Sequence, residues 1–211
     1  MNAPTMSTLD FEPESHTYRV DGRVLPSVTQ VLKPVGFDYD TVPFHILNHA
    51  AQRGTAVHLA TEFYDDGDLD EESIDPEILP YVNAWRLFRE ESGFVVDRSE
   101  VRLYSKRHGY AGTVDAIGFI RGRRIMVEKK TTAQLHPSTA IQVSAYYRAY
   151  NDSVPSAWRV RSACSVWLRR DGTYRFDAYD PLDHWAAFLA LLNPDDPQSG
   201  PTLEAWKARY I

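Results

Sequence analysis

Residues 110–131 read Tyr-Ala-Gly-Thr-Val-Asp-Ala-Ile-Gly-Phe-Ile-Arg-Gly-Arg-Arg-Ile-Met-Val-Glu-Lys-Lys-Thr. Two apolar, β-rich runs flank a short glycine-containing turn, the pattern of a strand hairpin. Residues 110–120 form the first strand and 124–130 the second, with Arg121-Gly122-Arg123 as the turn. Alternate residues of a strand share a face. Glu128 and Lys130 therefore point the same way, Lys129 points the other way, and the turn folds Asp115 back beside them. Two carboxylates at the ends of paired strands make a site for a hard, oxygen-preferring divalent cation. A lysine on the same face suits a reaction that develops negative charge.

The flanking sequence places this hairpin in a larger sheet. Residues 94–104 alternate as a preceding strand, with a turn at 106–109. Residues 163–168 and 174–179 flank Asp171-Gly172, a second hairpin. A small hairpin turns at Asp21-Gly22, and Ser27 or Thr29 caps a short helix through Leu32. Helical spacing marks residues 43–64, bent or interrupted near Gly54, residues 76–91, and residues 137–150. Further helices follow over 181–192 and after Pro201. The acidic stretch 65–77 reads as a solvated loop. This order predicts an α/β fold with a central mixed β-sheet flanked by helices.

The chain has 211 residues, 43% apolar and 25% charged, with one cysteine, Cys164. That length suits one domain with a full core, read as 1–36 (hairpin and entry segment), 37–193 (core) and 194–211 (C-terminal tail helix). A single cysteine excludes a disulfide within the chain and a cysteine-ligated iron–sulfur cluster. No membrane-spanning run is present, and the polar start shows no signal peptide, so an intracellular, cytoplasmic protein is expected. The net charge of −6 is unusual for a nucleic-acid enzyme. The acids, however, crowd into 65–77 while basic residues crowd into 102–130, which allows a locally basic groove.

Beyond the hairpin, Arg53-Gly54-Thr55-Ala56-Val57-His58 and Glu62 resemble the helix motif of the RecB family. Gln142-x-x-x-Tyr146 resembles its glutamine–tyrosine motif. Leu25-Pro26-Ser27-Val28-Thr29-Gln30-Val31-Leu32 is similar to the entry segment of the mitochondrial genome maintenance exonuclease family and its phage and prophage relatives. Together with Asp115 and Glu128-x-Lys130, these elements run in order from about residue 16 to 150. They identify a resemblance to the PD-(D/E)XK nuclease superfamily, RecB-like exonuclease type.

The resemblance implies a restriction-endonuclease-like core and a Mg²⁺- or Mn²⁺-dependent DNA exonuclease, acting on free ends of single-stranded DNA in repair, recombination or phage DNA processing. It implies Asp115, Glu128 and Lys130 as catalytic residues. His58, Asp115, Glu128 and the backbone carbonyl of Lys129 would bind metal. Ser27 and Thr131 would contact phosphate, and Gln142 and Tyr146 would contact substrate or support the lysine. Glu62 is either a partner orienting His58 or a surface acid. Glu100 is either a further ligand or a solvated strand acid. Relatives often carry Asp-Trp-Lys-Thr where this chain has Glu-Lys-Lys-Thr. That departure leaves the packing at Lys129 open, and strand parity makes Lys130 the acting lysine. Tyr104, His108, Tyr110 and Trp167 are either stacking platforms for bases or core aromatics.

No phosphate-binding loop of a helicase is present, so unwinding would need a helicase or recombination partner. A structure-specific endonuclease on the same fold and a catalytically silent DNA- or partner-binding relative are the alternatives. Oligomeric state and polarity of digestion have no signature in the sequence.

Overall fold

The computed structural model describes residues 9–38 and 40–211. The polar lead before Leu9 lies outside the described residues. Strands β1 (Leu9–Glu12), β2 (Thr17–Val20) and β3 (Arg23–Leu25) form a small antiparallel sheet. Its β2–β3 turn places Asp21 and Gly22 at positive φ, 49° and 76°, as a tight two-residue hairpin requires. The sheet docks through Tyr18, which is buried and shares a hydrogen bond with Thr113 Oγ1 at 2.8 Å. Strand β1 was not expected, because four residues are too few to show a period.

Helix α1 (Val28–Val31) follows, capped by Ser27 in a reciprocal box with Gln30. Helix α2 (Phe44–Asp66) runs without interruption through Gly54, contrary to the expected break. A β-carbon at Gly54 would meet Thr131 Oγ1 at an ordinary contact distance of 3.4 Å, so α2 passes beside the end of β6 there. The acidic stretch is mostly loop, with one short 3-10 turn at Glu71–Ser73. Helix α3 (Leu79–Ser92) begins three residues later than expected and ends at Gly93 with φ of 66°, a left-handed stop that glycine adopts without steric cost.

The main sheet has the order β4 (Val95–Ser105), β5 (Tyr110–Ile120), β6 (Arg123–Lys130), β7 (Ser162–Leu168), β8 (Tyr174–Tyr179). All neighbours are antiparallel except β6 and β7, which are parallel. A parallel pair needs a crossover, and helix α4 (Ser138–Ser153) supplies it. Helices α5 (Trp185–Leu192) and α6 (Ser199–Tyr210) complete the chain. Helix α6 is integrated rather than a tail: Trp206 is buried, and its Nε1 donates to His184 Nδ1 at 3.0 Å.

Helices cover both faces of the sheet, so the expected α/β architecture with a central mixed sheet is what the chain adopts. Helices α2 and α3 pack Val57, Trp85 and Phe88 against Val127 and Val166. Helices α1, α4, α5 and α6 pack Val28, Ile141, Phe188 and Trp206 against Met126 and Ile117. Consecutive residues Met126 and Val127 thus serve opposite cores, which is why β6 reads as a continuous apolar run. Each such fully buried side chain contributes roughly 1.5–3 kcal/mol relative to exposure. Among the described residues no helix is long and apolar enough to cross a membrane.

Candidate active site

The site arises where two paired strands part. The β5–β6 ladder runs from Ile120 and Arg123 to Ala116 and Val127 and then stops. The next step would set Asp115 against Glu128. Instead the Lys129 backbone N–H, left without a strand partner on that edge, donates to Asp115 Oδ2. In an extended strand the N–H and C=O of one residue leave on the same edge, so the Lys129 carbonyl also faces the opening. On the part of β5 that β6 has left, Ala111 N donates to Pro26 O at 3.0 Å, and Ser27 bridges Ala111 in parallel. The entry segment closes the sheet there.

Asp115 is 5% exposed. Its Oδ1 lies 3.0 Å from His58 Nδ1, and the same nitrogen lies 4.0 Å from Glu100 Oε1. His58, Glu100 and Asp115 can bring one ligand atom each within 4.8 Å of one another. Burial by itself would raise the Asp115 pKa, but the facing His58, followed by Lys129 and Lys130, holds it below the usual carboxylate range. Glu100 is pushed up by burial, by Asp115 and, more weakly, by Glu62. It stands between Ser99 and Val101, whose partners Ala116 and Val114 flank Asp115. Its φ of 46° is left-handed for a non-glycine residue in mid-strand, which costs on the order of 1–3 kcal/mol.

Glu128 is 4% exposed and faces helix α4. Its Oε1 accepts from Lys130 Nζ at 3.0 Å and from Gln142 Nε2 at 2.9 Å. Lys130 Nζ also donates to Gln142 Oε1 at 2.7 Å, and Gln142 Nε2 reaches Tyr146 OH at 3.1 Å. Gln142 and Tyr146 are one helical turn apart, so both face the strand end. Both are buried, at 7% and 3% exposure, and Gln142 touches Lys130 directly. The Glu128 pKa is raised by burial and by the charge of Asp115, partly offset by Lys130. Gly112 makes this packing possible, since a β-carbon there would fall 2.5 Å from Tyr146 Cε1.

Lys129 points to the opposite face, as strand alternation requires. It is 1% exposed, with Nζ donating to Thr61 Oγ1 at 2.7 Å and lying 5.2 Å from the centre of the Trp85 ring. Asp65 extends this buried charged layer, accepting from Trp85 Nε1 at 2.8 Å and Arg89 at 2.7 Å. The sequence reading did not anticipate that layer.

Other expected site residues fall differently. Ser27 is 1% exposed, and its hydroxyl caps α1, as the sequence reading offered. Thr131 is half-buried and lines an open cleft. Glu62 is half-buried and acts electrically on Glu100; among the described residues no hydrogen bond joins it to His58. Of the aromatics, Tyr110 is wholly buried with its hydroxyl on Ala145 O at 2.8 Å. Tyr104, His108 and Trp167 keep part of their surface accessible.

The donor set fits a divalent cation. Glu100 Oε1 and Glu128 Oε2 are buried oxygens without a hydrogen-bond partner among the described residues. Such oxygens are costly unless something binds them. Buried oxygen donors such as these suit a hard divalent cation.

No family model matches the chain, and no curated protein matches it in sequence. Among solved structures, an alkaline exonuclease from Laribacter hongkongensis is 13% identical over 87% of this chain and 91% of its own, with a TM-score of 0.41. SSO0001 is 18% identical over 66% of this chain and 67% of its own, with a TM-score of 0.34. Both likenesses are too remote to bear on chemistry.

Proposed function

We propose that the chain is a divalent-metal-dependent DNA exonuclease of the PD-(D/E)XK superfamily, RecB-like type, acting on free ends of single-stranded DNA. The observation that carries this reading is the parting of β5 and β6 at Asp115 and Glu128, with Lys130 held between Glu128 and Gln142. Two buried carboxylates and a buried-edge lysine oppose burial energetically, and a structural role alone does not require them together.

In this reading His58, Asp115, Glu128 and the Lys129 carbonyl would hold the cation, with Glu100 beside them. When bound, a divalent cation polarises a phosphodiester and lowers the pKa of a water. Lys130 presents its ammonium to the charge that builds on the phosphoryl oxygens, or to the attacking water. Gln142 fixes where that ammonium sits, and Tyr146 fixes Gln142. The preference for free single-stranded ends, the use of Mg²⁺ or Mn²⁺ and a place in repair, recombination or phage DNA processing rest on the family resemblance. A helicase or recombination partner, an intracellular setting and a single nuclease domain over 1–211 belong to the same proposal and rest on the composition, length and motifs of the sequence.

The test is digestion of end-labelled single- and double-stranded linear DNA and a closed circle, with Mg²⁺, Mn²⁺ or EDTA. The expected result is cation-dependent loss of linear single strands with the circle spared. Cutting of the circle would replace exonuclease with endonuclease. Binding without cleavage of any substrate would overturn the enzymatic reading.

A further inference from the structure

Beside the carboxylates, at the C-terminal ends of β6 and β7, lies an open cleft of about 430 Å³ lined by Arg53, Thr131, Trp167, Arg169 and Arg170 among others. We propose that this cleft binds the phosphate backbone of a nucleic-acid strand running into the site. It rests on the nuclease reading for the direction of the strand, but not for its binding chemistry.

Position comes first. Trp167 is the register partner of Lys130, and Thr131 follows Lys130 directly. Neighbouring strands lie about 4.8 Å apart, so the cleft adjoins the reacting end of β6. The second argument is unspent hydrogen bonding. Arg53 Nε and Arg169 Nε are buried donors with no partner among the described residues, and both belong to guanidiniums lining this one cleft. Phosphate oxygens satisfy such planar donors in pairs.

Charge points the same way. In a chain of net charge −6, the cleft gathers Arg53, Arg169 and Arg170, with Asp171 as its one acidic lining residue. The Asp171 carboxylate is already engaged by Thr173 N and Oγ1, at 3.0 and 2.6 Å. Glu77, 3.5 Å from Arg53, offsets one charge, and Asp171, which acts electrically on Arg169, offsets a second, so the cleft keeps a net positive charge. Finally, the Trp167 ring is fixed by Nε1 donating to Thr132 O at 2.7 Å and by Arg169 lying 4.8 Å over it. A fixed indole beside phosphate-binding arginines suits an unpaired strand, whose bases can stack.

The experiment is fluorescence anisotropy of a labelled oligothymidylate in EDTA across a salt series, with melting temperature checked for each variant. Arg169→Ala/Arg170→Ala should bind at least about tenfold more weakly. Its slope of log affinity against log salt should fall by about 1.4, the value for two single-strand phosphate contacts. Arg170→Glu alone should also weaken binding, and as an exposed residue it tests the cleft without risk to the fold. The control is Arg159→Ala/Arg161→Ala, which removes equal charge from the opposite, N-terminal ends of β6 and β7; it should leave affinity and slope unchanged.

Unchanged binding by the cleft variants, or an equal loss in the control, overturns the proposal. If wild type cleaves DNA while the cleft variants bind normally, the cleft falls and the nuclease stands. If wild type cleaves nothing while the cleft variants alone lose binding, the nuclease reading falls and the strand-binding cleft stands. Absence of any oligothymidylate binding by wild type overturns the cleft.

Discussion

Lys129 and Lys130 are neighbours in sequence but belong to opposite faces of the sheet. The Lys130 ammonium joins Glu128 and Gln142 at the strand end, whereas the Lys129 ammonium is buried against Thr61 and Trp85. The two lysines should therefore separate cleanly by substitution. Lys130→Ala removes the only ammonium on the Glu128 face of this strand and should lower DNA cleavage by about 10²–10³-fold, the usual cost of a charge-stabilising donor. DNA binding should be nearly intact. Lys129→Met fills the same volume without a buried charge and should keep most cleavage, with a melting temperature equal to wild type or higher. Equal loss of cleavage in both would mean that the wrong lysine has been assigned.

Gln142 touches both Lys130 and Glu128, and in the proposed reading it acts by position rather than by contact with substrate. Gln142→Leu should reduce kcat about 10–100-fold, the range seen when groups that orient a site are removed, with little change in KM. Tyr146→Phe breaks only the next link and should cost less. A rise in KM with kcat unchanged would instead place Gln142 against the substrate.

Gly112→Ala tests the packing beneath that chain. Its β-carbon would displace the Tyr146 ring, and overpacking of this kind costs about 1–3 kcal/mol. The double variant Gly112→Ala/Tyr146→Leu should recover part of the melting temperature but not the cleavage. No destabilisation by Gly112→Ala would show that the ring moves freely, and the proposed support of Gln142 would fail.

How far these relations were legible in the sequence differs by residue. The β5–β6 hairpin was readable to the residue at β5, because two β-rich apolar runs flank a short Arg-Gly-Arg turn. The shared face of Glu128 and Lys130 followed from strand parity alone. Ser27 was legible as a helix cap, the role its hydroxyl takes. The face of Lys129 followed from parity but its packing stayed open, since nothing local announces that Thr61 and Trp85, far off in sequence, will enclose it. The left-handed backbone at Glu100 has no glycine or asparagine to signal it.

Burial also gives the stability a pH dependence. His184 Nδ1 accepts a hydrogen bond from Trp206 Nε1, so the ring must be neutral at that nitrogen. Burial, the leading cause, lowers the His184 pKa, with Arg209 adding to the effect and Asp183 and Asp180 opposing it. Burial lowers His108 and His136 as well. With folded pKa values below the unfolded one of about 6.5, the unfolded chain binds more protons as pH falls through that value. The histidines' part of the unfolding free energy should therefore be flat above it and decline below it, while Glu100 and Glu128, whose raised pKa values make the folded chain bind more protons in the same window, push the other way. Urea titrations across that range check this, and His184→Gln should make the decline shallower. An acid dependence identical in wild type and His184→Gln would show that the His184–Trp206 pair contributes nothing to it.

Glu100 supplies the sharpest trade between stability and function. It holds a left-handed backbone in mid-strand opposite Asp115, and it crowds a carboxylate already beside Asp115 and Glu62. Glu100→Asn suits that backbone better and removes the repulsion, so unfolding should become harder by about 1 kcal/mol. The same change withdraws an oxygen donor from the His58–Asp115 group, so Mn²⁺ affinity measured by calorimetry should fall. Asp115→Asn should weaken Mn²⁺ binding further, because it also disturbs the Lys129 N–H and His58 contacts. A stabilised Glu100→Asn variant with unchanged Mn²⁺ affinity would make Glu100 a strained bystander. A destabilised one would mean that the left-handed turn is held by contacts the carboxylate itself makes.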